Sequence, residues 1–156
     1  MHFELLIEGL PPGLNHGTKH TRQGIHYKVP LLRQWEKTVE KACEGQHWPF
    51  APKQPLRVEL IFFYPKVLTK KGELSMNAGD TDGRIKHALD AVFRVYSYIA
   101  NDAQVVDIMA SKAPSDTVEG TFIRITGLDL VTWRETALKE GRKLEARLRE
   151  QLKEKR

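Results

Sequence analysis

Two carboxylates, Asp80 and Asp82, stand two residues apart just ahead of a run with helical apolar spacing, Ile85, Leu89, Val92 and Phe93. Neighbours on a helix lie three and four apart, so this pair cannot share one face of one helix. At least one of the two therefore sits on extended backbone. Asp82 is suited to cap the helix, which leaves Asp80 one step outside it in the approaching strand or loop. Both side chains then converge at one helix mouth. Lys86 lies four residues after Asp82, on the same side and one turn up, and Asp102 returns just past the helix end in a short polar connection. Three acids and a lysine are expected around one point, although the sequence leaves open how helix and return loop close.

Hard divalent cations such as Mg²⁺ take oxygen ligands and are commonly held by a few carboxylates together with substrate phosphates. Asp80, Asp82 and Asp102 suit that pattern. In phosphodiester hydrolysis such ions activate water and stabilise the reacting oxygens, while a nearby lysine offsets phosphate charge. The chemistry suggested is metal-dependent cleavage of nucleic acid. Taken alone the acid pair is weak evidence, since a helix cap beside a solvated acid has the same spelling.

The wider pattern is more specific. Asp80-Thr81-Asp82 with Lys86, then Ala88-Leu89-Asp90-Ala91, then Asn101-Asp102-Ala103-Gln104-Val105-Val106-Asp107 resembles the RusA family of Holliday-junction resolvases. Leu10-Pro11-Pro12-Gly13-Leu14-Asn15 looks like the proline-proline-x-x-asparagine segment that those proteins carry after their first strand. The likeness runs over residues 3–126 and is most specific over 80–107. It implies metal-binding acids at Asp80, Asp82 and Asp102, an essential lysine at Lys86, and a homodimer that makes paired Mg²⁺-dependent nicks in four-way DNA junctions during recombination and repair. Three positions depart from the family pattern. Gly83 stands where asparagine is usual, Asn101 replaces the first acid of an aspartate pair, and neutral Met76-Asn77-Ala78-Gly79 precedes Asp80 where some members have arginines. The first two are expected to loosen support around the acids, and the third to weaken the grip on DNA.

The remaining basic residues suit phosphate contacts. Lys19 and Arg22 lie in the glycine-containing stretch 13–27, expected as a mobile surface loop; Lys66, Lys70 and Lys71 precede the acids, and Lys112 ends a strand. The chain carries 25 basic and 20 acidic residues, a balance that favours polyanion partners; residues 129–156 hold nine of the former and six of the latter, so the attraction is local. His16, His20 and His26 have no cysteine or acid beside them and glycines between them, which argues against zinc. His87 is expected at the surface or in packing. Asp107 is a matter of strand register, turning either toward the acids as a supporting group or into solvent. The single cysteine, Cys43, excludes an intramolecular disulfide, and residues 1–4 have no secretory character, so a cytoplasmic setting is expected.

The expected fold is α+β, a RusA-like mixed four-stranded sheet with two packed helices and an added C-terminal helix. Strands are predicted over 2–9, 56–64, 105–111 and 117–126, the last two as a hairpin around Ala113-Pro114-Ser115-Asp116, with helices over 30–45 and 82–97. Residues 1–128 form the nuclease domain and 129–156 extend it as an amphipathic helix. That helix bears a stripe of Leu130, Trp133, Ala137, Gly141, Leu144, Leu148 and Leu152, expected to pack on the sheet or pair with a second subunit. Two other functions fit the residues: a branched-DNA-binding protein with weak or no cleavage, and an oligomeric interaction protein working through that stripe.

Overall fold

The computed structural model describes residues 1–13, 18–20, 26–28, 30–73 and 81–154. Strand β1 (His2–Glu8) has strict alternation, burying Phe3, Leu5 and Ile7. Two short antiparallel strands, β2 (Thr18–His20) and β3 (His26–Lys28), follow where the sequence reading places only a loop. Helix α1 (Pro30–Cys43) buries Leu32, Trp35, Val39 and Cys43 at steps of three and four, so Trp35 belongs to the core. Strand β4 (Leu56–Pro65) leads through residues 66–80 to helix α2 (Thr81–Val95), then to strands β5 (Val105–Ser115) and β6 (Gly120–Gly127). Helix α3 (Leu130–Glu154) closes the chain.

The four long strands form one mixed sheet in the order β1-β6-β4-β5. This overturns the predicted hairpin: β6 runs antiparallel between β1 and β4, while β5 pairs parallel with β4 at the edge. The apolar content of the strands gives the reason. β6 buries Thr121, Ile123 and Ile125 and needs partners on both sides, whereas β5 is largely exposed and contains Pro114, which has no N–H for a second ladder. The turn expected at 113–115 is instead the end of β5.

One sheet face carries Val58, Leu60 and Phe62 of β4 with Ile123 and Ile125 of β6, and α1 and α2 cover it. The chain between α1 and β4 adds Trp48, whose ring lies 4.9 Å from Tyr96, 5.6 Å from Phe93 and 5.2 Å from Phe50. Arg94 of α2 reaches the buried Glu36 of α1 at 2.8 Å, tying the two helices. Burial pushes the Cys43 thiol up, in keeping with a small apolar role. The opposite face has no helix packed on it among the described residues and bears charged pairs: Arg124 bonds Glu4 at 2.6 Å, and Arg57 bonds Asp107 at 2.7 Å.

The C-terminal helix does not cover that face. Its root is fixed by Leu128 N donating to Pro55 O at 2.8 Å and by Asp129, whose Oδ1 accepts from Thr132 N at 2.8 Å. Beyond the root, Leu144, Leu148 and Leu152 are each more than half exposed, so of the two placements expected for the stripe the structure does not show packing on the sheet.

Replacing Trp48 by Ala should cost about 3–5 kcal/mol of unfolding free energy in a denaturant titration, because a large aromatic leaves the core. Trp48→Phe should cost far less, since the indole N–H has no partner among the described residues. The Thr132 amide holds the Asp129 carboxyl below its usual range. Its capping contribution is therefore complete above the ordinary aspartate pKa and is lost only as pH falls through the depressed value. Helical circular dichroism of the native chain should exceed that of Asp129→Ala at neutral pH and converge with it in strong acid.

Candidate functional site

Parallel pairing of β4 with β5 dictates where the acids go. A parallel connection must return the chain to the starting end of the sheet, and α2 is that return. Its first turn therefore lies at the end where β4 finishes, and its last turn at the end where β5 begins. Asp82 sits in the first turn, exposed, with Thr81 as the first helical residue, so the helix starts two residues earlier than a cap at Asp82 requires. Asp80 lies outside the described residues.

Asp82, Lys86 and Asp90 follow at steps of four along one edge of α2. Lys86 Nζ bonds Asp90 Oδ2 at 3.0 Å, and more than half of the lysine side chain remains in solvent. Gly83 is buried in the first turn, on a different face. Of the basic residues, Lys66 follows β4 and contacts Asp116 at 3.6 Å, Lys70 and Lys71 occupy an exposed turn, and Lys112 lies half-buried near the end of β5. All four belong to the Asp82 end of the sheet. Lys19 falls on β2, and Arg22 lies outside the described residues.

Asp102 lies at the other end. After α2 the chain turns tightly, with Ile99 N and Ala100 N both donating to Tyr96 O at 2.9 and 2.8 Å. A single 3-10 turn, Asp102–Gln104, then runs into β5. Asn101 caps it: its Oδ1 accepts from Ala103 N at 2.8 Å, and its own N–H donates to Gln104 Oε1 at 2.9 Å. Gln104 Nε2 in turn donates to Gln54 O at 3.0 Å, anchoring the turn beside the start of β4. The asparagine that departs from the family pattern is thus a working cap. Beside it an open groove of about 620 Å³ runs between Tyr98, Val106 and Trp133.

From Asp82 to the last turn of α2 is roughly 20 Å at the helical rise. Carboxylates sharing one Mg²⁺ each approach it to about 2.0–2.1 Å. Within one chain Asp82 and Asp102 therefore do not meet at one ion, and the place of Asp80 in the expected convergence lies outside the described residues. Among the described residues no group of three or more His, Cys, Asp or Glu is arranged to hold a metal. Asp107 joins neither end: it pairs with Arg57 on the sheet face turned away from α2.

The sequence reading missed one linkage. His87, expected at the surface or in packing, is buried, and its Nδ1 lies 2.7 Å from Pro12 O, which can only accept. Nδ1 therefore carries the hydrogen, and α2 is tied to the Pro11-Pro12 segment. The partners are 75 residues apart, and no local pattern announces such a bond.

Asn101→Ala should lower stability by about 1 kcal/mol, while Asn101→Asp, which keeps an acceptor for Ala103 N, should stay within about 0.5 kcal/mol of native in the same denaturant titration.

A search of curated proteins finds no match. A family model described as Endodeoxyribonuclease RusA matches residues 9–126, from the end of β1 through the last strand of the sheet, and leaves only α3 and the first residues outside. With the fold, the crossover helix and both acidic segments inside that match, the chain belongs to the RusA endodeoxyribonuclease family.

Proposed function

We propose that the protein is a structure-specific endodeoxyribonuclease that resolves four-way DNA junctions by paired symmetrical nicks, with Mg²⁺, as a homodimer, in recombination and repair. The family match over residues 9–126 is the observation that carries this reading, because it includes Asp80, Asp82, Lys86 and Asp102 in order. A four-way junction presents two equivalent strands, and a two-fold protein can set one site at each. Nuclease chemistry of this kind works in a cytoplasmic setting, and no helix among the described residues is long and apolar enough to cross a membrane.

The residues divide the work by position. Lys66, Lys70, Lys71 and Lys112 surround the Asp82 end and suit backbone phosphates, which fix the register of the DNA without reading its bases. Lys19 and Arg22, with the β2–β3 pair, would hold an arm. Lys86 suits a phosphate beside Asp82 once it releases Asp90, an exchange that costs little because exposed helical ion pairs contribute only about 0.3–0.5 kcal/mol. Carboxylates are the right donors for Mg²⁺, but one chain does not bring Asp82 and Asp102 to the same ion. That separation favours one other reading, a junction-binding protein that cuts poorly.

The deciding experiment compares an end-labelled four-way junction with its linear duplex, in Mg²⁺ or EDTA. The native chain should give paired nicks in the junction alone, only with Mg²⁺. Asp82→Asn should cut at least about 100-fold more slowly while still binding. Tight junction binding with no product under any divalent metal would replace the resolvase by the binding protein.

A further inference from the structure

Helix α3 lies beyond the residues that the family model matches, and junction cutting gives it no task. Residues 134–153 are all exposed, so about 30 Å of helix carries no packing from the rest of the described chain. Helices in folded proteins are held chiefly by packing of an apolar face, since propensity alone is marginal in water. That face is present and bare: Leu138, Leu144, Leu148 and Leu152 are each more than half in solvent. An uncovered apolar strip of this kind marks a contact surface.

The spacing along the strip suits another straight helix. Leu130, Gly141 and Leu152 are eleven apart, as are Trp133 and Leu144, and Ala137 and Leu148. A repeat of eleven corresponds to about 3.67 residues per turn, close to the period of the helix itself, so the strip drifts only slightly around α3. Side-chain size then selects a direction. Ala137 and Gly141 stand seven and three residues before Leu144, while Leu148 and Leu152 stand four and eight after it. Two copies of α3 laid antiparallel about Leu144 set Gly141 of one against Leu148 of the other, and Ala137 against Leu152, small against large. In a parallel pair Gly141 would meet Gly141 and leave a void.

Gly141 and the charges agree with that partner. Glycine weakens the interior of an exposed helix relative to alanine, and a Cβ added at Gly141 meets nothing within 4 Å, so nothing in the described chain calls for it. A second helix passing close does, because a bare Cα admits a large side chain. Glu140 and Arg147 share one flank of the strip, four residues before and three after Leu144, so antiparallel pairing opposes them twice. On the other flank Leu138 comes against the aliphatic stem of Arg149, which Glu145 steadies along its own helix. The outward side mixes Glu135 and Glu150 with Lys139, Lys143 and Lys153, and so offers neither a duplex nor an anionic lipid surface a uniformly basic face.

We propose that α3 is a self-pairing surface, which joins antiparallel to α3 of a second copy with the two-fold axis beside Leu144. The inference does not rest on the nuclease reading, and either can fail without the other.

Cross-linking of the full chain with a short bis-maleimide tests this, since the native Cys43 is buried. Leu144→Cys should link to its own copy across the axis. Ala137→Cys and Leu152→Cys should not link singly, because each lies roughly 20 Å or more from its counterpart, whereas a chain carrying both should give a covalent dimer. Lys139→Cys, on the outward side, should stay monomeric in the same reaction. Adding Leu144→Lys to the double cysteine chain should abolish its link, which chance collision would not do. Absence of the link in the double cysteine chain overturns the pairing, and self-linking of Ala137→Cys overturns its antiparallel order. If no link forms and Leu144→Cys loses maleimide reactivity only when anionic vesicles or duplex DNA are added, the strip belongs to that surface and the proposal fails.

Discussion

The parallel ladder between β4 and β5 is the constraint from which the rest of the molecule follows. It forces a crossover, and the crossover must be long enough to span the sheet and apolar enough on one side to lie upon it. α2 meets both demands, burying Ala88, Ala91, Val92 and Phe93 against the sheet and leaving Asp82, Lys86 and Arg94 outside. It also separates the polar segments that flank it. The motif that looks continuous along the chain is therefore split between two ends of the fold.

Each end has its own support. At the far end, Asn101 and Gln104 close a reciprocal cap, and Gln104 ties the turn to Gln54, so Asp102 is held on a short rigid segment whose hydrogen bonds reach the start of β4. At the near end, the buried His87 binds Pro12 O, which joins the crossover helix to the segment leading into β2 and β3. The departures at Gly83 and Asn101 leave this scaffold intact: the glycine is buried in the first turn of α2, and the asparagine caps.

The two sheet faces have different fates because only one is apolar throughout. Alternation along β1 and β4 gives the helix side Phe3, Leu5, Ile7, Val58, Leu60 and Phe62, and gives the other side Glu4, Glu59, Arg57 and the partly buried Phe63. Arg124 and Arg57 neutralise the carboxylates there, so the face needs no covering helix. This explains why α3 leaves the body after its capped root with its leucines in solvent, and why Asp107 serves as a partner to Arg57.

Local periodicity in the sequence was sufficient for the elements themselves: alternating burial in β1 and β4, helical spacing in α1, α2 and α3, prolines at the breaks, and the acids and lysine that mark the family. These properties depend on backbone geometry over a few residues, so a linear reading contains them. The short β2–β3 pair escaped that reading because three-residue strands carry no usable period. Pairing order, the placement of β6 between β1 and β4, the side to which Asp107 turns and the distance between Asp82 and Asp102 were decided only in three dimensions. Each depends on which surface a distant segment finds to bury. The sequence puts Asp82 and Asp102 in one motif, and the right-sized helix between them keeps them apart.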